Sequence, residues 1–167
     1  MLAEGKNRLR QTLGTFATGV TVITTYHHEA SRHVGITVNS FSSVSLQPPM
    51  VLWSINRRSP NRDAFDVGST HIIHVLRDDQ TELARRFATP GPNKFHGLQT
   101  RPDPQTGIPL LLDWAAVMRC RTKELIAAGD HDIVLAEVLH HEHTDARPLI
   151  FVQGRFGAPL SSASNAG

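Results

Sequence analysis

Cysteine is nearly absent: Cys120 is the only one in 167 residues, which excludes an internal disulfide and any zinc or iron–sulfur centre built from several thiolates. A reducing, cytoplasmic setting is the expectation. Long apolar runs are missing too. No segment approaches the run of about 18 apolar residues that a membrane span needs, and the start, MLAEGKNRLRQ, carries no apolar signal core, so a soluble, unprocessed protein is expected. Neither sign of charge dominates. With 17 Lys+Arg against 15 Asp+Glu the formal charge is +2, too small to point to nucleic acid. What is present, 40% hydrophobic and 19% charged residues, fits one globular domain over residues 1–160. The small polar run SSASNAG at 161–167 reads as a frayed tail.

Strand signals dominate the chain. Val20 to Tyr26 is rich in β-branched residues, a polar HHEASRH turn follows, and VGITV at 34–38 completes a predicted hairpin. MVLWSI at 50–55 and HIIHVL at 71–76 read as further strands, as do Ala115 to Ile126, His131 to His140 and Pro148 to Phe156. Three short helices are predicted. Leu9, Leu13 and Phe16 recur at helical spacing over Asn7 to Phe16; Ser59 and Pro60 suit an N-cap and first helical position; Asp79-Gln-Thr-Glu82 has the form of a capping box opening a helix to Phe87 or Ala88. Helices this few cannot cover a parallel sheet, so an antiparallel barrel with helical insertions is expected.

Three segments could carry chemistry. Thr37-Val-Asn-Ser-Phe-Ser-Ser-Val-Ser45 places six hydroxyl or amide side chains among apolar ones, which suits either the polar edge of a planar ligand or a solvent-facing edge strand. Ser54-Ile-Asn-Arg-Arg-Ser-Pro-Asn61 joins arginines to a predicted helix start, where an anion such as phosphate would be favoured, although an ordinary capped helix reads the same way. Ala128-Gly-Asp-His-Asp132 opens a strand with His131, either an imidazole at a barrel rim or an exposed turn residue. No Ser/His/Asp or Cys–His nucleophile pattern supports hydrolysis. His140, His141, Glu142 and His143 could chelate only with ligands from elsewhere, and an exposed strand end explains them more simply, so no metal is expected.

Taken together, these segments resemble the flavin reductase-like family of FMN-binding split barrels, the small reductase components of two-component flavin monooxygenases. The resemblance runs from about Leu9 to Phe156. It rests on Phe16-Ala-Thr-Gly-Val-Thr-Val-Ile-Thr-Thr25, the Thr37 to Pro49 segment, Asn56-Arg-Arg-Ser59, Ala84-Arg-Arg-Phe-Ala88, Lys94-Phe95, Gly129-Asp-His131 and Gly154-Arg-Phe156. It implies a mainly β fold, an antiparallel Greek-key split barrel with a few short helices, acting as an NAD(P)H:flavin oxidoreductase that supplies reduced FMN or FAD to a partner monooxygenase. It further assigns Thr37, Val38, Asn39, Ser40, Phe41, Ser43 and Ser45 to flavin contact, and places Ser54, Asn56, Arg57, Ser59 and Asn61 around the phosphate. Arg86, Phe87, Lys94 and Phe95 would close the site, Gly129, Asp130 and His131 with Arg155 and Phe156 would meet NADH or NADPH, and His131 would be the catalytic-pocket residue. A homodimer is also implied. An FMN-binding electron carrier or redox sensor on the same barrel is the alternative; a haem-binding relative has less support, since no histidine is singled out as an axial ligand.

Overall fold

The computed structural model describes residues 2–91 and 94–159; the predicted tail at 161–167 lies outside the described residues. The chain is mainly β. Helix α1 (Leu2–Gly14) precedes strands β1 (Thr18–Gly19), β2 (Thr21–His27), β3 (Arg32–Val38), β4 (Ser42–Leu46) and β5 (Pro49–Asn56). A 3-10 turn (Arg62–Phe65), β6 (Thr70–Val75), helix α2 (Thr81–Ala88), β7 (Thr100–Pro102) and β8 (Pro109–Leu111) follow. The long pair β9 (Ala116–Ala128) and β10 (His131–His143) and the short pair β11 (Ile150–Val152) and β12 (Arg155–Gly157) complete it.

The main sheet has seven strands in the order β3-β2-β6-β9-β10-β5-β4, every neighbouring pair antiparallel. Its two ends, β3 and β4, do not hydrogen-bond to each other, so the expected barrel is not closed by its backbone. Three local hairpins are joined by non-local pairings, β2 with β6, β6 with β9 and β10 with β5.

Alternation explains which side chains reach the core. Along β5, Val51, Trp53 and Ile55 are buried, and along β10 Asp132, Val134 and Ala136 are buried, one face of each strand turned inward. The apolar ones among these residues meet Ile23, Val34, Phe65, Ile73 and Cys120 in one cluster. Burial pushes the Cys120 thiol up to about 12, which leaves it an unreactive core residue. A second cluster joins Val20, Val22, Leu76 and Leu149 to Ala84 and Phe87 of α2, so the sheet edge at β3 is covered by that helix.

Several local expectations are corrected. The first helix starts earlier, at Leu2, and ends at Gly14; Leu9, Leu13 and Phe16 are 59%, 65% and 77% exposed, because no element among the described residues packs on that face. Ser59 caps no helix: residues 56–61 form successive turns, and the 3-10 turn begins after Asn61 without a side-chain cap. The capping box is not formed either. Gln80 precedes α2, Asp79 pairs with Arg77 at 2.7 Å, and Glu82 pairs with Arg85. The stretch from Pro148 to Phe156 is two strands, since Gln153 and Gly154 both take positive φ (49° and 76°) and reverse the chain. The hairpin of β7 and β8 was unread, its Gly- and Pro-punctuated sequence masking two three-residue strands.

Two histidines of β6 sit fully inside this fold. His74 bridges strands: Nδ1 lies 3.1 Å from the Val22 carbonyl and Nε2 accepts from the Leu111 N–H at 3.2 Å, which fixes the Nδ1–H tautomer. His71 Nε2 accepts from the Trp53 indole N–H at 3.4 Å, giving that buried ring its partner. Burial pushes His71 down to about 3 and His74 down to about 4, so both are neutral when folded while the unfolded chain protonates near 6.5. The unfolded state therefore binds more protons below 6.5, and stability is full above that value and lost as pH falls toward about 4 and about 3. Urea midpoints are expected to hold at about pH 7.5 and fall by about pH 5, each histidine contributing up to about 1.4 kcal/mol per pH unit. His71→Gln, which cannot take the proton, should begin less stable and decline more shallowly.

Candidate functional site

A cavity of about 680 Å³ opens where β3 runs past the end of β5 and the end of α2. Ile36, Thr37, Val38, Asn39 and Ser40 form one side. Ser54, Ile55, Asn56, Ser59, Pro60 and Asn61 form another; Phe87, Ala88, Pro90, Gly91 and Lys94 form a third, with Arg32 and His131 at the remaining corners. Two segments far apart in sequence, the hydroxyl-rich run and the turn after β5, are brought face to face here. Their contact is a hydrogen bond in which the Ser54 N–H donates to Ser40 Oγ at 2.9 Å.

The polar wall is organised before any ligand enters. Asn56 Oδ1 accepts from the Arg58 N–H at 2.9 Å, Ser59 Oγ accepts from the Asn61 N–H at 3.3 Å, and Asn61 Oδ1 accepts from the Arg32 guanidinium at 2.9 Å. Thr37 Oγ1 donates to the Ala84 carbonyl at 2.6 Å and so ties β3 to α2. Lys94 donates to the carbonyls of Gly35 at 3.2 Å and Phe87 at 2.8 Å. Its pKa is lowered, first by partial burial and then by the nearby Arg32 charge. His131 Nδ1 lies 2.7 Å from Asp130 Oδ1, and that hydrogen bond holds the Asp130 carboxyl below its ordinary value.

A second hollow of about 620 Å³ adjoins the first, sharing Thr37, Asn39, Ala88 and Pro90 and adding Val20, Arg85, Thr89, Phe151 and Phe156. Its far wall is aromatic. Phe156 packs on Phe151 with ring centres 5.2 Å apart, and the Arg85 guanidinium stands 5.7 Å over the Phe156 ring.

Of the residues singled out by sequence, Thr37, Val38, Asn39, Ser40, Ser54, Asn56, Ser59, Asn61, Phe87, Lys94 and His131 line the first cavity, and Phe156 lines the second. Others stand outside both walls. Phe41 packs against the core, while Ser43 and Ser45 lie on edge strand β4, paired with Val51 and Met50 across an irregular register. Arg57 is drawn to Asp132 at 3.4 Å, Arg86 donates to the His96 carbonyl, and Phe95 packs on Phe87 behind the cavity wall. Gly129 and Asp130 form the β9–β10 turn, Gly129 with φ 65° at the position where a tight hairpin takes glycine. Arg155 is exposed opposite Val152.

In the first cavity, sequence reading missed Arg32, Ile36, Ile55, Pro60, Ala88, Pro90 and Gly91. Arg32 was absorbed into a polar turn, although its place two residues before Val34 and four before Ile36 puts it in step with the alternating strand.

Residues 13–159 match a family model described as a flavin reductase like domain. Over 154 residues the chain is 42% identical to the FMN reductase (NADH) SmoA of Agrobacterium fabrum, a match spanning 92% of this chain and 86% of that one. It is 33% identical over 150 residues to the flavin-dependent monooxygenase reductase subunit HsaB of Mycobacterium tuberculosis, spanning 88% of this chain and 79% of the relative. Among solved structures, the NADH:FAD oxidoreductase SgcE6 of Streptomyces globisporus, in complex with NAD and FAD fragments, superposes with a TM-score of 0.88 at 30% identity, covering 97% of this chain and 96% of that one.

The cavity wall depends on a missing side chain. A Cβ built on Gly35 would lie 2.2 Å from Phe87 Cε1, and Phe87 is buried against Phe95 with little room to retreat. Gly35→Ala should cost about 1–3 kcal/mol of stability, as overpacking of a filled core does. It should also weaken ligand binding at the Phe87–Lys94 wall, read by urea denaturation alongside a binding titration.

Proposed function

The chain belongs to the flavin reductase like domain family, and we propose that it is an NADH-dependent flavin oxidoreductase that reduces FMN or FAD in the first cavity and supplies the reduced flavin to a partner monooxygenase. The observation that carries this reading is the composition of that cavity. Its apolar faces, Ile36, Val38, Ile55, Phe87 and Pro90, suit a flat heteroaromatic ring, its hydroxyl and amide groups suit the ring's polar edge, and Arg32 and Lys94 suit a phosphate. A volume of about 680 Å³ lies within the usual range of small-molecule sites. The residues present therefore fit a flavin nucleotide.

Bound flavin supplies the redox chemistry, accepting a hydride from the reduced nicotinamide. The protein's part is alignment and exclusion of water. Thr37, Val38, Asn39 and Ser40 hold the ring edge, and Ser54, Asn56, Ser59 and Asn61 hold the phosphate end. Phe87 and Lys94 close the side next to α2. His131, steadied by Asp130, lies in the same cavity and orients the nicotinamide carboxamide or pyrophosphate, while Phe156 and Arg85 receive the rest of that nucleotide in the adjoining hollow. Holding the two reacting rings in register is the main source of acceleration, because it removes the orientational cost of a bimolecular step.

We read the antiparallel main sheet as that of a Greek-key split barrel, with residues 1–160 acting as one catalytic domain. The protein works as a homodimer, in which the exposed face of Leu9, Leu13 and Phe16 and the edge strand carrying Val44 and Leu46 are the apolar surfaces in need of cover. Among the described residues no helix is long and apolar enough to cross a membrane; cytoplasmic residence, where NADH is supplied, is part of the same proposal.

The direct test is NADH oxidation by the purified protein with and without added FMN, FAD or riboflavin. Turnover that depends on added flavin supports the reductase, whereas tightly held flavin without turnover would replace it with an electron carrier. Ser59→Ala should cost FMN about 1.5–3 kcal/mol of binding, the worth of a hydrogen bond to a charged group, and riboflavin much less. His131→Ala should raise KM for NADH or slow flavin reduction in stopped flow while leaving flavin affinity nearly intact. An unchanged reduction rate at low NADH would remove His131 from the reaction.

A further inference from the structure

Three of the buried or half-buried arginines outside the first cavity hold carboxylates. Arg62 donates to Asp132 at 2.9 Å, Arg119 stands 3.5 Å from Asp103, and Arg77 meets Asp79 at 2.7 Å. The two cations that line the first cavity hold none. The half-buried Arg32 has as its partner the neutral amide oxygen of Asn61, and the Lys94 ammonium is held by two backbone carbonyls. Among the described residues neither forms an ion pair. Two cations lining one hollow without a counter-charge repel each other; the Lys94 pKa is lowered first by partial burial and then by the Arg32 charge. Partial removal from water makes the uncompensated pair costly unless an anion joins it.

We propose that Arg32, with Lys94 beside it, is the cationic half of an anion site that reads the phosphate of the flavin nucleotide, so that Arg32 sets the preference for a phosphorylated flavin over riboflavin. This rests on the reading that the first cavity takes flavin. The sequence pointed to Arg57 for this role, but Arg57 is bound to Asp132 and is absent from the cavity wall. Arg32 replaces it from the opposite side. The Asn61 side-chain oxygen Oδ1 accepts one guanidinium N–H and so fixes the plane of the fork, and the N–H groups that remain suit the paired oxygens of a phosphate. Ser59 and Asn61 share that wall, which places neutral donors next to the charge. The cation of the neighbouring hollow, Arg85, is already paired with Glu82, so the cations without a carboxylate lie in the first cavity.

The test is a pair of fluorescence-quenching titrations, FMN and riboflavin, on the whole chain and on Arg32→Gln. The expected result is a rise of about tenfold or more in Kd for FMN, as for loss of a charged hydrogen bond, with riboflavin changed by less than about twofold; Arg32→Lys should recover part of the difference. An unchanged Kd for FMN in Arg32→Gln overturns the proposal and leaves the flavin reading intact. Equal losses for both flavins also overturn it, showing that Arg32 acts by holding Asn61 in place. A raised KM for NADH with FMN binding untouched assigns the anion to the dinucleotide and overturns it too. Failure of the wild type to bind either flavin would instead remove the underlying reading. Should Arg32→Gln not fold, the wild type decides alone: its FMN-to-riboflavin affinity ratio should shrink as salt rises, and inorganic phosphate should compete with FMN and not with riboflavin. If neither occurs, the proposal falls.

Discussion

Asp132 is a carboxylate on the inward face of β10, its side chain only 5% exposed, and a buried charge of that kind must be paired. It captures Arg62 through Nε at 2.9 Å and Arg57 through Nε at 3.4 Å. Those two bonds pin both ends of the irregular segment after β5 to the centre of the sheet. With Arg57 and Arg62 fixed, the turns between them can place Asn56, Ser59 and Asn61 along one cavity wall without a helix to carry them. The Arg57 N–H also donates to the Asp130 carbonyl at 3.0 Å, which ties the same segment to the turn that presents His131. The two ion contacts of Asp132 thus fix where the turn after β5 stands relative to His131.

The same capture explains where sequence reading succeeded and where it failed. The long strands were legible because burial on one face writes a period of two into the sequence, as in Val51, Trp53 and Ile55. The cavity-lining half of the hydroxyl-rich run was legible for the opposite reason: Asn39 and Ser40 follow buried Val38 where a pure core strand would continue apolar. Arg57 misled because its sequence neighbours are site residues while its charge partner lies in β10, a distance no local pattern records. Ser59 misled because a Ser-Pro pair fits a helix start and a turn equally well. Arg32 was hidden by its polar neighbours. Its role depends on what faces it across the cavity, and that follows from the register of β3 against β2 and the position of the turn after β5.

Polar groups inside this fold are arranged as matched pairs. The Trp53 indole and the His71 ring exchange a hydrogen bond in the middle of the main core, with Phe65 edge-on to both, and His74 joins β2 to the β7–β8 hairpin. These satisfied pairs fix strand positions more narrowly than apolar contacts do, since a slip of one residue would leave a donor or an acceptor buried alone. The rigidity lies beneath the cavities, and the ligand-facing groups are carried by turns and strand ends attached to it. A flavin that must bind, react and leave suits such a division: a fixed floor for alignment and walls that can yield.

Gly35 and Phe87 occupy what amounts to a single volume, since the space a methyl group would take at 35 is filled by the ring from 87. Descent at these two positions is therefore ordered in time. A side chain becomes admissible at 35 only in a lineage that has already reduced position 87, and any lineage that keeps the phenylalanine must keep the glycine. Divergence at the pair should run one way, position 87 free to shrink beside the glycine and position 35 free to grow only afterwards, whatever flavin or partner the surrounding loops come to prefer.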